Sequence, residues 1–232
     1  HEKSFANIFR SKKFLPEKYE EDKGFLIDKM NSWGYRDALL KSDSVAVVDD
    51  AHVNVYINLY QGQKYYLRNV EWVGNTVYSS NLLANRLKMK KGDVYDTELL
   101  KKRLYTDEDA VGNLYYNNGY VFYNLDQVEV NVDGDSIDLE MRIYEDRQAT
   151  FNNVRITGND RVYENVIRRE LRTKPGDLFS MDAIKRSVME LANMNQFDPE
   201  ALQAGLFKNI KPDQASGTVD ITYPLVTKGG DQ

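Results

Sequence analysis

The sequence contains no cysteine among its 232 residues, and histidine occurs only twice. The absence of thiols excludes disulfides, zinc–thiolate sites and thiol nucleophiles. Because His1 stands at the start of the chain, where tag residues are common, His52 is the only histidine considered as a functional residue. A single histidine cannot form a multi-histidine metal site and leaves little room for histidine-based acid–base chemistry. The sequence therefore predicts no metal and no cofactor.

The sequence also lacks long apolar runs and an excess of basic charge, and its first residues do not have the pattern expected of a signal peptide. The mean hydropathy is -0.62, and no apolar stretch approaches the ~20 residues of a membrane-spanning helix. A composition of 41% hydrophobic and 29% charged residues is typical of a soluble globular chain. The net charge of -5 and the pI near 5.2 argue against a nucleic-acid partner, since such proteins usually present a basic face.

The main positive feature of the sequence is an internal repeat with a period of 84 residues. Three stretches recur in one register: Leu67–Val70 at Phe151–Val154, Gly74-Asn75 at Gly158-Asn159, and Gly92–Tyr95 at Gly176–Phe179. The alternating apolar residues of Val53–Tyr60 likewise match Ile137–Tyr144, which adds the tail of an earlier copy. We therefore expect three domains: a partial repeat at 1–63 that lacks its first strand, a middle repeat at 64–147 and a last repeat at 148–232.

Each repeat has the same predicted order of elements, β-α-α-β-β. A short strand ends at Gly-Asn, a turn in which both residues tolerate positive φ, and two helices with apolar stripes follow. A hairpin turned by Asp133-Gly134 completes the middle repeat. The predicted class is α+β, with three-stranded mixed sheets covered on one face by two helices and with short linkers that make an extended rod. Trp33, on a helical stripe, is predicted to be buried.

The pattern V-x-W/I-x-G-N, then L-x-x-x-x-G-D-x-Y/F, then G-Y resembles the POTRA domain, the polypeptide-transport-associated module of BamA-like outer-membrane protein assembly factors. In the middle repeat the matching residues are Val70, Trp72, Gly74, Asn75, Leu87, Gly92, Asp93, Tyr95, Gly119 and Tyr120. In the last repeat they are Val154, Ile156, Gly158, Asn159, Leu171, Gly176, Asp177 and Phe179. The last repeat departs at the hairpin entrance, where Phe197-Asp198 replaces Gly-Tyr. Its Val166–Asp177 stretch resembles the final, membrane-proximal POTRA domain.

The resemblance implies the periplasmic portion of a Gram-negative outer-membrane protein. Its implied partners are unfolded outer-membrane β-barrel proteins and accessory lipoproteins of the assembly complex. The implied strand order is 1-3-2, which leaves the second strand of each sheet at an edge, where an extended client can add a strand by β-augmentation. In the middle repeat the edge is expected near Val121–Val132, with Val121, Tyr123, Val128 and Val130 as candidate client-binding residues. In the first repeat it is expected at Ala38–Val48.

Basic residues of the last repeat form a second candidate site. Arg168, Arg169 and Arg172 have helical spacing beside an apolar stripe. They form either an ordinary basic helix face, partly balanced by Glu164 and Glu170, or a contact with lipid head groups or an acidic partner. A membrane-proximal position favours the contact.

Other interpretations of the sequence are a calcium loop, an enzyme and a different transporter arm. Asn131–Asp138 begins like a calcium loop, but Ser136 and Arg142 occupy the positions that require glycine and glutamate. A carboxylate-based periplasmic hydrolase would need acids that converge across a cleft, and no basic or nucleophilic residue accompanies the acidic clusters. An arm of another secretion porin of the superfamily stays open as the alternative. We predict a non-enzymatic scaffold without catalytic residues.

Overall fold

A computed structural model describes residues 13–229 of the chain. Its helices are α1 (Pro16–Ser32), α2 (Ser80–Leu87), α3 (Thr97–Lys101), α4 (Val111–Tyr116), α5 (Glu164–Glu170), α6 (Met181–Asn193) and α7 (Pro199–Lys208). A π-helical turn, Lys102–Thr106, follows α3 directly. Its strands are β1 (Leu39–Asp49), β2 (His52–Tyr60), β3 (Tyr66–Val73), β4 (Asn124–Asp133), β5 (Ser136–Tyr144), β6 (Thr150–Thr157), β7 (Ile210–Asp213) and β8 (Thr218–Pro224).

The strands form one two-stranded sheet and two three-stranded sheets. The small sheet pairs β1 with β2, and the larger sheets have the orders β3-β5-β4 and β6-β8-β7. Numbered within each repeat, both orders are first, third, second. The α+β class with three-stranded mixed sheets is therefore confirmed, and β4 and β7 lie at sheet edges, as the resemblance implied.

The described residues fall into two compact units. The first unit consists of the chain up to Glu71 together with Leu87–Arg103 and Gln127–Glu140, and the second of Trp72–Arg86, Leu104–Asp126 and the chain from Met141 onward. These units divide the chain differently from the repeats, because parts of the middle repeat belong to each. The domain bounds 1–63, 64–147 and 148–232 stay a prediction.

In the first unit, α1 and the β1–β2 hairpin precede the middle repeat. Pro16 begins α1, where its missing N–H needs no partner, and the helix buries Tyr19, Leu26 and Met30 at helical spacing. The prediction that Trp33 is buried was wrong, since 42% of its surface is exposed. The physical reason is that α1 ends at Ser32, so the side chain of Trp33 does not continue the buried stripe.

Backbone contacts reproduce the sequence repeat in detail. The amide of Gly92 donates to the carbonyl of Leu67 at 2.8 Å, and Gly176 donates to Phe151 in the same way at 2.7 Å. Both glycines have positive φ, +92° and +89°, which the following turn requires. The repeated Gly-Asp pairs therefore specify the same local fold twice.

The Gly-Asn pairs also form matching turns. The side-chain amide of Asn75 donates to the carbonyl of Tyr78 at 2.9 Å, and that of Asn159 donates to Val162 at 3.3 Å. Each asparagine thus closes its own turn three residues on, which is typical of asparagine in turns. These pairs position the chain that follows the first strand of each repeat.

The last repeat, in the second unit, contains a helix that the two-helix pattern did not predict. Asp198 caps α7 by accepting from the amides of Glu200 and Ala201 at 2.9 and 3.2 Å, and Pro199 begins the helix. The Phe197-Asp198 departure from Gly-Tyr is therefore a helix start. Because α7 uses this part of the chain, the edge strand β7 has only 4 residues.

Candidate functional site

The edge strand β4 of the middle repeat is the first candidate site. It forms a hairpin with β5, and among residues 13–229 no strand lies on its other side. Of its predicted contact residues, Val128 is half-buried and Val130 is 48% exposed. Val132 is exposed as well. An edge strand presents unpaired N–H and C=O groups to which another extended segment can bind.

Val121 and Tyr123 precede this strand instead of belonging to it, so the predicted start of the edge at Val121 was wrong. The amide of Val121 donates to Gly119 at 3.0 Å and that of Tyr123 donates to Tyr120 at 3.2 Å. These turn hydrogen bonds use the amides that a strand would direct to its neighbour. The ring of Tyr123 is buried and stacks on Tyr115, with 4.3 Å between the ring centroids.

The start of β4 is covered by the protein itself. Leu125 is buried, and the hydroxyl of Tyr105 approaches the carbonyl oxygen of Leu125 at 3.4 Å. After Leu125 every residue of the strand is half-buried or exposed, and all four residues from Val130 to Asp133 are exposed. The accessible part of the edge is therefore the second half of the strand, close to the hairpin turn.

An ion pair lies on this second half. The guanidinium of Arg36 binds the carboxylate of Glu129 through both oxygens, with Nε–Oε1 and Nη2–Oε2 distances of 3.1 and 2.6 Å. The hydroxyl of the buried Tyr95 donates to the same Oε1 at 2.9 Å. Burial, followed by the charge of Glu129, raises the pKa of Tyr95, so its hydroxyl stays a donor. This cluster was not predicted from the sequence, because Arg36 and Glu129 are far apart in the chain.

The predicted edge of the first repeat and the second strand of the last repeat differ from β4. Strand β1 has 11 residues and matches the predicted edge at Ala38–Val48 closely. Strand β7 has 4 residues and includes Pro212, which has no N–H to donate. Proline and shortness both protect an edge from pairing, so β7 offers a poor edge.

The three arginines of the last repeat do not share one helix. Helix α5 ends at Glu170, and Leu171 is extended, so Arg172 lies beyond the helix. Arg168 pairs with Glu164, while Arg172 reaches Glu190 at 3.2 Å. The prediction of one basic helix face was therefore wrong for Arg172. The guanidinium of Arg169 donates only to a backbone carbonyl among its described contacts, which leaves its charge the most available.

The loop that resembles a calcium site is held by an arginine. Arg68 binds Asp133 at 3.0 Å and Asp138 at 2.7 Å, and Asn131 donates to Asp138 at 3.3 Å. The hydrogen bond with Arg68 is the main cause that lowers the pKa of Asp138. Within the described part of the chain, no group of three or more His, Cys, Asp or Glu side chains is placed to hold a metal ion.

Comparison with known protein families gives a result that agrees with the repeated turns and with the 1-3-2 strand order of the sheets. A family model named POTRA, described as a surface antigen variable number repeat, matches residues 65–146 and 149–227. The chain belongs to the POTRA family. This is a scaffold family and not a known family of enzymes.

The individual relatives of this POTRA chain include several BamA proteins. The outer membrane protein assembly factor BamA of Neorickettsia risticii (strain Illinois) is 22% identical over 207 residues, covering 83% of this chain and 27% of that protein. BamA of Neisseria meningitidis serogroup B (strain ATCC BAA-335 / MC58) is 24% identical over 194 residues, covering 82% and 24%. The chain thus spans about a quarter of the length of the curated relatives that it matches.

A solved structure has the same fold. The crystal structure of Haemophilus influenzae BamA POTRA3-5 matches with a TM-score of 0.72 at 21% identity, covering 93% of this chain and 82% of that chain. The chain is a BamA-like POTRA region, and such regions are the periplasmic part of an outer-membrane protein. Within residues 13–229, no helix combines the length and apolar character needed to cross a membrane.

Proposed function

We propose that this POTRA region is a non-enzymatic scaffold in outer-membrane protein assembly. It binds unfolded β-barrel proteins by adding their strands to an exposed sheet edge, and it docks accessory lipoproteins on its helix faces. The observation that carries the proposal is the position of β4 at the edge of its sheet, with the residues from Val130 to Asp133 exposed. Main-chain pairing tolerates many sequences, which suits a protein with many clients.

The first prediction concerns the edge strand. A peptide of about ten residues with the alternating apolar and polar pattern of a barrel strand is expected to bind weakly and to shift amide resonances along Val128–Asp133. The 4-residue β7, with Pro212, provides an internal control whose amides are expected to stay unshifted. An NMR titration measures both. Shifts confined to helix amides would contradict the proposal.

Two proline variants separate binding from folding. In a hairpin, consecutive residues direct their N–H groups alternately toward the partner strand and away from it. Of Val130→Pro and Asn131→Pro, one therefore removes a hydrogen bond within the sheet and the other removes an outward donor. The variant that keeps the fold is expected to lose the peptide-induced shifts. If it binds the peptide as well as the original chain does, β4 is not the binding edge.

The proposed docking of accessory lipoproteins is supported by apolar surface on the helices of the last repeat. Met189 of α6 and Phe207 of α7 are 64% and 53% exposed. They belong to the lining of a groove of about 290 Å³ between these helices. An apolar groove between two helices is a common binding surface for an amphipathic partner helix.

We also propose that the basic residues of the last repeat contact lipid head groups. Arg169→Gln is expected to weaken binding to vesicles of anionic lipid about fivefold, since one cation near such a surface contributes about 1 kcal/mol. Arg168→Gln and Arg172→Gln are expected to have smaller effects, because both arginines already bind carboxylates. A vesicle co-sedimentation assay tests this, with the exposed Arg155→Gln on β6 as the matched control. Unchanged binding by the Arg169 variant would rule out the lipid contact.

A further inference from the structure

Two places in the chain share one backbone arrangement, in which a Gly-Tyr pair meets the start of the next repeat. At the first junction the amide of Tyr65 donates to the carbonyl of Gly34 at 2.8 Å, and at the second the amide of Ala149 donates to Gly119 at 2.9 Å. Gly34 corresponds to Gly119 in the repeat, and Tyr65 corresponds to Ala149. Both glycines have positive φ, +94° and +92°. The backbone therefore connects successive repeats in one way.

The side chains of the first junction are polar. Arg36, two residues after the glycine, forms the two-oxygen ion pair with Glu129, to which Tyr95 also donates. The hydroxyl of Tyr65 donates to Asp37 at 2.7 Å, and the guanidinium of Arg36 lies 5.3 Å from the centroid of the Tyr65 ring. The carboxylates and the guanidinium remain partly exposed to solvent.

The side chains of the second junction are apolar. Val121 and Phe122, which follow the second Gly-Tyr pair, pack against a hydrophobic core that includes Ala149 and Phe179. Ala149 and Phe179 occupy the repeat positions of the two tyrosines that hydrogen-bond carboxylates at the first junction. Among the described residues, the second junction therefore lacks the two tyrosine hydroxyls as well as a counterpart of the Arg36–Glu129 ion pair.

Charged side chains also lie at the second junction, where the carboxylate of Asp146 accepts from the side-chain amide of Gln214 at 2.5 Å. The guanidinium of Arg147 donates to the carbonyl oxygens of Gln214 and Ala215, the latter at 2.7 Å. The hydrogen-bond partners of both charged groups are neutral, and the charge of Arg147 is only the smallest of the causes that lower the pKa of the nearby Asp213. Dissolved ions therefore compete with these contacts less than with a direct pair of opposite charges. Salt therefore has a smaller effect at this junction than at the first.

We propose that the first junction is an ionic latch that loosens as ionic strength rises, whereas the second junction stays closed. Salt shortens the screening length from about 10 Å at 0.1 M to about 3 Å at 1 M and weakens partly exposed ion pairs, but it does not weaken apolar packing. Helix α1 also contacts α3 near the latch, so loosening widens the range of orientations without separating the two segments. The latch acts on the segment before Tyr65 and spares the contact between the two family-matched repeats.

Spin labels test the proposal directly, because a chain without cysteine accepts pairs of introduced cysteines without background labelling. One labelled pair, Glu21→Cys with Lys101→Cys, reports on the first junction, and Glu108→Cys with Lys185→Cys reports on the second. Pulsed electron paramagnetic resonance gives the distribution of distances for each pair. Raising the salt concentration from about 0.1 M to about 1 M is expected to widen the first distribution roughly twofold and to leave the second nearly unchanged.

Substitutions identify the responsible contact. In Arg36→Gln and in Glu129→Gln the first distribution is expected to be wide already at about 0.1 M salt and to be insensitive to further salt. Phe122→Ala is the matched control, since it is expected to widen only the second distribution, at every salt concentration. Thermal unfolding of each variant checks that the repeats remain folded. An equal response of both junctions to salt, or a narrow first distribution in both Gln variants at about 0.1 M, would overturn the proposal.

Discussion

Gly74→Ala is expected to lower the free energy of unfolding by roughly 4 kcal/mol, at the upper end of single substitutions. The backbone at Gly74 has a φ of +88°, and an added Cβ would lie 2.0 Å from the carbonyl oxygen of Ile143. That oxygen belongs to a strand and is not the end of a flexible side chain, so the backbone itself must move. Chemical denaturation measures the loss.

Gly92→Ala provides a control with the same backbone conformation. Its φ is +92°, but an added Cβ would meet nothing within 4 Å. Only the cost of the left-handed conformation remains, about 1 to 2 kcal/mol. The difference between the two variants therefore measures the steric contact alone. Equal losses would show that the contact with Ile143 is unimportant.

The last repeat allows the same comparison to be repeated. At Gly158 an added Cβ would lie 1.9 Å from the carbonyl oxygen of Leu225, whereas at Gly176 it would meet nothing within 4 Å. Gly158→Ala is thus expected to destabilise far more than Gly176→Ala. Agreement between the two repeats would mean that the Gly-Asn glycine is required for close approach to the backbone at the end of the third strand, in addition to its φ.

Glu145→Gln is expected to cost roughly 2 to 3 kcal/mol, a large effect for a change of one atom. The side chain is only 7% exposed. Its carboxylate accepts from the hydroxyls of Thr76 and Tyr115 at 2.9 and 3.0 Å and from the amide of Val77 at 3.1 Å. An amide in its place offers one acceptor oxygen and directs its NH₂ toward groups that are themselves donors.

Two further variants calibrate this result. Tyr115→Phe removes one of the donors and is expected to cost about 1 kcal/mol. Glu21→Gln changes an exposed carboxylate and is expected to change stability by less than about 0.5 kcal/mol. Urea denaturation compares all three. A loss for Glu145→Gln no larger than that for Glu21→Gln would contradict the structural role of the buried carboxylate.

The sequence predicted the fold well wherever the two repeats agree. Gly92 and Gly176, or Asn75 and Asn159, have matching neighbours 84 residues apart, and both members of each pair make the same contact within their own repeat. The asparagine contacts join residues three positions apart and the glycine contacts join two segments of one repeat, so a repeated pattern of residues reproduces both. The strand order and the edge position of β4 followed from the family resemblance.

The candidate sites were harder to predict because they depend on features that do not repeat. Helix α7 replaces a Gly-Tyr entrance, and the pattern in Asp198-Pro199 was visible only as a departure. Glu145 has no acidic counterpart in the last repeat, where Thr227 occupies the matching place two residues after Leu225. The pairing of Arg36 with Glu129 joins residues distant in the chain. In the sequence it is accompanied only by a difference between the repeats, Tyr95 in one and Phe179 in the other, because the hydroxyl of Tyr95 donates to Glu129.

Pro212 has a consequence for solubility. A free strand edge on each copy of a protein invites edge-to-edge stacking into aggregates. The short β7, interrupted by a residue without an N–H, gives such stacking almost no template. This edge of the last repeat is therefore protected from stacking, and lengthening β7 or replacing its proline would create an aggregation hazard.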